Sequence, residues 1–185
     1  MNLLEQNIFV LFNNILANRQ DVILLACQQR AKFEGWLKFE LASAISNENN
    51  FSQVILEDGY TNGGRSDISF LFQGNKYYIE MKTANTNWRA EGLENRSRPV
   101  TANMKRIVDD ICVLRDKSAS AHALLVFVLF PIPDRLWRNT REQLNYHLRH
   151  IEESSGLLKD VLINNASYIK VTDDFGICPF VIQII

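Results

Sequence analysis

Asp67-Ile-Ser-Phe-Leu-Phe-Gln-Gly-Asn-Lys-Tyr-Tyr-Ile-Glu80-Met-Lys82 is the stretch whose reading decides the fold. It reads as a β-hairpin over residues 66–72 and 76–82, with a carboxylate near the start of one strand and a Glu-x-Lys on the other. Strand side chains alternate faces with a period of two, so Glu80 and Lys82 point one way while Ile79 and Met81 point the other. Gly74-Asn75 is the turn signal. A two-residue loop there pairs Phe72 with Tyr77, Ser69 with Glu80 and Asp67 with Lys82. Opposed residues share a face, with Cβ atoms roughly 5 Å apart. Two carboxylates and an ammonium then converge on one patch, a seat for a hard divalent cation and a water. A three-residue loop instead pairs Asp67 with Met81 and turns it away. The reading therefore requires an even-numbered loop or a compensating bulge.

Working outward, residues 2–17 have the apolar spacing of an amphipathic helix, and residues 22–46 that of a second helical region broken before Gln28. Phe33, Leu37, Leu41, Ala44 and Ile45 form its core-facing stripe. Glu40 lies on one edge of that stripe and Glu34 on the other. Either acid could lean toward the hairpin as a further ligand, and Glu40 is the first choice. A strand is expected over 54–57, and Thr61-Asn62-Gly63-Gly64 is a turn signal. Residues 84–100 read as a polar, arginine-rich loop and 101–117 as a helix with Met104, Ile107, Val108, Ile111 and Leu114 on its apolar face. A buried strand at 122–130 is expected to break at Pro131 and Pro133, followed by a helix over 135–154 and strands over 168–172 and 178–184. His147 and His150 read as surface residues of that helix. The order of elements gives an α/β domain, a mixed sheet with helices on its faces, spanning residues 1–185 as one unit.

Composition narrows the class. The three cysteines, Cys27, Cys112 and Cys178, show no Cys-x-x-Cys spacing, which suits neither a zinc site nor a disulfide framework and points to a reducing, cytoplasmic setting. The N-terminal stretch lacks the basic leader and small-residue cleavage site of a signal peptide, and the longest apolar run, Ala123 to Phe130, is too short for a membrane span. Net charge is −1, but it is uneven. Residues 1–60 carry four basic and seven acidic side chains, net −3; residues 82–117 carry eight and five, net +3; residues 135–150 carry four and one, net +3. The positive segments follow the hairpin and the buried strand. Arg65 after two glycines, Arg89, Arg96 and Arg98 around Trp88, and Lys105 are the candidate contacts to a nucleic-acid backbone.

Gly-Arg-Ser-Asp67-Ile-Ser-Phe followed by Tyr-Ile-Glu80-Met-Lys82-Thr, with a Glu40-bearing helix upstream, resembles the PD-(D/E)XK nuclease superfamily. The resemblance covers residues 30–130, and no proline precedes Asp67. It implies a restriction-endonuclease-like, three-layer αβα fold with core order α-β-β-β-α-β. It implies a Mg²⁺-dependent nuclease, with Mn²⁺ as a substitute, hydrolysing DNA phosphodiesters as a restriction or defence endonuclease. Asp67, Glu80, Glu40 and the main-chain carbonyl of Met81 would hold the metal. Lys82 would orient or activate the attacking water and stabilise charge on the phosphate, with a depressed pKa expected beside the cation. Members that cut two strands often dimerise, so a homodimer is an expected arrangement, with no membrane partner. The competing readings are a non-catalytic nucleic-acid or protein binding module on the same fold, and an RNA-directed nuclease.

Overall fold

The structure, a computed structural model, describes the chain except residues 30, 61–62, 94–99, 118–121, 136–143, 158 and 185. Its elements run α1 (Leu3–Asn18), α2 (Gln20–Gln29), α3 (Glu34–Ser46), β1 (Phe51–Leu56), β2 (Ile68–Phe72), β3 (Asn75–Asn85), α4 (Val100–Lys117), β4 (His122–Pro133), α5 (Leu144–Ser155), α6 (Lys159–Asn164), β5 (Ile169–Lys170) and β6 (Phe175–Ile184). The six strands form one mixed sheet in the order β1-β2-β3-β4-β6-β5. β1, β2 and β3 pair antiparallel, β3 and β4 pair parallel, and β4 pairs antiparallel with β6. The parallel pair needs a crossover, which α4 supplies. The chain is thus α/β with a mixed sheet, and residues 34–133 run α-β-β-β-α-β.

Alternation along the strands divides the core in two. Ile68, Phe70, Ile79, Met81, Leu124, Val126 and Val128 pack on one face beneath α1–α3. Tyr78, Ala84, Leu125, Phe127, Leu129, Phe180 and Ile182 pack on the other with Met104, Ile107, Ile111 and Leu114 of α4 and Leu144, Leu148 and Ile151 of α5. Covering both faces explains why β4 is apolar without interruption. Phe127 and Phe180 stack at 4.4 Å between β4 and β6. α1 is fastened to the sheet through its N-terminal capping box: Glu5 accepts from the Asn2 N–H, and its other oxygen accepts from the Gln183 N–H of β6.

The structure corrects several expectations. The helical region 22–46 is not broken before Gln28: α2 continues to Gln29, and α3 is a separate helix that begins at Glu34. β1 begins at Phe51 rather than at residue 54, with a register irregularity between Ser52 and Ile55. β4 runs through both prolines to Pro133, its pairing with β6 shifting register between Leu129 and Ile132, where Pro131 has no N–H to give. His147 is a core residue, 1% exposed, not a surface one. The expected helix start, residues 136–143, lies outside the described residues.

The hairpin register also moves. Phe72 pairs with Asn75, so the loop is Gln73-Gly74, both at positive φ (51° and 80°), as a tight two-residue hairpin turn requires. Tyr77 then faces Phe70 rather than Phe72, and Tyr78 faces Ser69. The displacement is two residues. It leaves Asp67 just ahead of β2, donating its N–H to the Ile79 carbonyl beside Glu80, instead of paired with Lys82.

Among the described residues no single helix is long and apolar enough to cross a membrane.

Candidate active site

The candidate site lies in a notch in the sheet. β2 begins at Ile68, opposite Ile79, whereas β3 continues for six residues beyond it. Asp67 closes the ladder by donating its N–H to the Ile79 carbonyl. Past that point the β2-facing groups of β3 have no strand to pair with, and side chains take over. The Met81 N–H donates to Asp67 Oδ2 at 2.8 Å, and the Thr83 N–H donates to Glu34 Oε2 at 3.0 Å. The Met81 carbonyl faces the same notch and accepts from Lys82 Nζ at 3.3 Å. Buried backbone groups need partners, so the two carboxylates stand where strand pairing ends.

Glu80 and Lys82 project toward α4, in register with Leu125 and Phe127 of β4. Glu80 is 9% exposed and accepts a 2.7 Å hydrogen bond from the Tyr60 hydroxyl. Burial pushes its carboxyl up to about 8, the Tyr60 bond works against this, and the charges of Asp67 and Asp110 add to the rise. The Tyr60 hydroxyl is pushed up by burial and by Glu80. Lys82 Nζ stands 2.9 Å from Asp110 Oδ2 on α4 and 3.6 Å from Glu34 Oε1. Burial raises the Asp110 carboxyl to about 6, with Lys82 opposing. The expected depression of Lys82 is reversed. Burial acts to lower its pKa, but Asp110, Glu34 and Asp67 outweigh it and the net shift is upward, so Lys82 is an ammonium.

On the far side of Asp67, Lys38 of α3 lies 3.5 Å from Oδ1 and also pairs with Glu57. Glu57 raises the Lys38 pKa, and Lys38 lowers that of Glu57.

The structure brings together Asp67, Glu80, Lys82 and the Met81 carbonyl. It does not bring in Glu40, whose carboxylate accepts from Trp36 Nε1 at 3.0 Å and lies 3.6 Å from Arg19. At 100° per residue Glu40 is turned well away from Glu34 around α3, whereas Glu34 and Lys38 lie one turn apart on the side that meets β3. Glu34, the other acid of that helix, occupies the place expected of Glu40. Asp110, Tyr60 and Lys38 escaped the sequence reading. Asp110 carried a faint signal, because it sits three residues after Ile107 and beside Ile111 on the flank of the apolar stripe of α4. Tyr60, in a loop, carried none.

The candidate backbone contacts stay dispersed. Arg65 is exposed. Arg89 borders a cleft of about 650 Å³ with Arg135 but also with Glu91, Asp134, Asp173 and Asp174. Lys105 pairs with Asp109 at 3.3 Å. Arg96 and Arg98 lie outside the described residues.

Oxygen donors, two carboxylates and a carbonyl, are what a small hard cation takes. Mg²⁺ usually keeps several waters and uses one or two protein carboxylates. Among the described residues no group of three or more His, Cys, Asp or Glu side chains forms a ready metal cluster. Glu80 and Asp110, both raised by burial, would each ionise more readily beside a cation. Compared with known proteins, the chain matches no family model, no curated protein and no solved structure.

Proposed function

We propose that this chain is a Mg²⁺-dependent nuclease hydrolysing phosphodiester bonds in DNA, on a restriction-endonuclease-like fold, as an endonuclease of the restriction or defence type. The observation that carries the proposal is the notch, where Asp67, Glu80, the Met81 carbonyl and the Lys82 ammonium converge at the point where β2 leaves β3. Asp67 and Glu80, with the Met81 carbonyl, would hold Mg²⁺, and Mn²⁺ would substitute for it. The cation would polarise a phosphoryl oxygen and acidify a water.

The chain's own residues do the remaining work. Lys82 is charged, so it donates hydrogen bonds and does not take the proton of the water. Its ammonium would bind a non-bridging phosphate oxygen, where charge develops during displacement. Glu34 is fixed by the Thr83 N–H through Oε2, which leaves Oε1 beside Lys82 to align the attacking water and accept its proton. The proton moves as the new P–O bond forms and the P–O bond to the leaving oxygen breaks, that oxygen taking a proton from solvent. Tyr60 holds Glu80 in place from the α4 side.

The test is cleavage of supercoiled plasmid, linear duplex, single-stranded DNA and RNA, with and without Mg²⁺. The expected result is Mg²⁺-dependent cutting of DNA, lost in Asp67→Ala and Lys82→Ala with the circular dichroism spectrum unchanged. Cleavage retained in either variant refutes the assignment of roles. Cutting of RNA alone redirects the substrate, and DNA binding without cutting or Mg²⁺ uptake makes the chain a binding module.

A further inference from the structure

We propose that Asp110 is the positioning residue of Lys82, the group that holds the ammonium beside a divalent cation once that cation has taken the Met81 carbonyl. The proposal rests on the nuclease reading of the notch and adds to it a residue on a separate element. Among the described residues Lys82 Nζ has three oxygen neighbours: Asp110 Oδ2 at 2.9 Å, the Met81 carbonyl at 3.3 Å and Glu34 Oε1 at 3.6 Å. One of the three, the Met81 carbonyl, is also a donor the cation would use. An ammonium and a divalent cation repel each other, so Lys82 must leave that carbonyl when the cation arrives. Its new position is then set by what remains.

Glu34 is the weaker hold. It is the more distant, and its other oxygen is already committed to the Thr83 N–H. Asp110 approaches from the opposite side, on a helix anchored by the fully buried Met104, Ile107, Ile111 and Leu114. Its Oδ2 is buried and takes no hydrogen bond from any other described group. A carboxylate placed in that way draws the ammonium along β3 away from the carbonyl while keeping it within the site. Without Asp110, Lys82 would stay on the Met81 carbonyl and compete with the cation for it. Asp110 itself touches neither reacting atoms nor cation in this scheme, so its effect must pass through Lys82.

The decisive experiment is a double-mutant cycle in the full chain. Mg²⁺ binding is read by titration calorimetry, and plasmid cleavage is read under single-turnover conditions. Asp110→Asn is expected to weaken Mg²⁺ binding about tenfold and to slow cleavage about thirtyfold or more, with KM for DNA within about twofold of wild type. Asp110→Glu should restore most of the rate. In a Lys82→Met background, Asp110→Asn should change Mg²⁺ binding by less than about twofold, because no ammonium remains to be held. Full cleavage and Mg²⁺ binding in Asp110→Asn overturns the proposal. So does a binding defect that persists in the Lys82→Met background, which would make Asp110 a ligand or a plain charge. If Asp110→Asn does not fold, Asp110→Glu alone and combined with Lys82→Met carries the same comparison. Absence of Mg²⁺ binding in the wild type overturns the nuclease reading itself, a result separable from every variant outcome.

Discussion

Glu80→Gln should stabilise the metal-free protein above neutral pH, and by a calculable amount. The folded carboxyl titrates near 8 instead of its ordinary 4.5, chiefly because it is buried. A carboxyl raised by folding binds its proton more tightly in the native state, so stability is highest below the unfolded value and falls as pH climbs toward the folded one. Between pH 6.5 and 8 that group alone should lower the unfolding free energy by about 1.5 kcal/mol, at about 1.4 kcal/mol per pH unit with flattening near 8. The window is chosen to isolate it. Asp110, raised to about 6, is already about three-quarters ionised in the native state at about pH 6.5, so it adds only about 0.2 kcal/mol across the window, equally in both proteins. His147, whose pKa burial lowers, acts with the opposite sign as the unfolded imidazole loses its proton through the lower part of the window, and this contribution is common to both proteins. Cysteine ionisation in the unfolded chain begins at the top of the window and is common to both proteins. The new amide oxygen would still accept from Tyr60, so the variant keeps its hydrogen bond and loses its titration. Urea unfolding in EDTA should show the wild type losing about 1.5 kcal/mol across the window, a fall of about 3–6 °C in Tm for a chain of this size, while Glu80→Gln stays level. Saturating Mg²⁺ should restore the wild type, by about 2.7 kcal/mol at a hundredfold excess over Kd, and leave the variant unmoved. A level wild-type profile, or an equal decline in both proteins, would refute the reasoning.

The two acids of α3 separate cleanly. Glu34→Gln should slow Mg²⁺-dependent cleavage by about tenfold or more, while Glu40→Gln, which touches Trp36 and Arg19, should leave the rate within about twofold. The opposite ranking in a single-turnover assay would restore the acid first chosen from sequence. Gly176→Ala should destabilise the sheet by about 1–3 kcal/mol, seen as a lower urea midpoint. A methyl there would lie 2.2 Å from the Ile169 carbonyl oxygen, and backbone at that distance must move. An unchanged midpoint would show that β5 detaches at little cost.

The site was legible where it depends on period and opaque where it depends on the third dimension. Alternation alone placed Glu80 and Lys82 on one face, and that holds however the hairpin turns. The turn was misplaced by one position because Gln73 adopts a positive φ, which its residue type does not announce. Because the true loop is also two residues long, the error was an even one and the residues of β2 kept their faces. Choosing between Glu34 and Glu40 needs the path of α3 past the edge of β3. Asp110 needs more: the crossover that lays β4 parallel to β3 and sets α4 over Lys82. His147 was misread because its partner, the Thr86 carbonyl, lies sixty-one residues away, and its ring packs against Trp88 at 4.4 Å.

The notch has a consequence for how substitutions at the site should be interpreted. The segment of β3 beyond Asp67 is an open sheet margin, and open margins recruit strands from other molecules. Asp67 and Glu34 plug its Met81 and Thr83 amides with side-chain oxygens, so they act as guards against self-association as well as candidate ligands. Removing either would unmask a β-edge, and an Asp67→Ala preparation could lose activity by polymerising. Light scattering alongside each cleavage assay separates the two causes. Asp67→Asn, which retains an acceptor for the Met81 amide, keeps the margin covered while removing the charge.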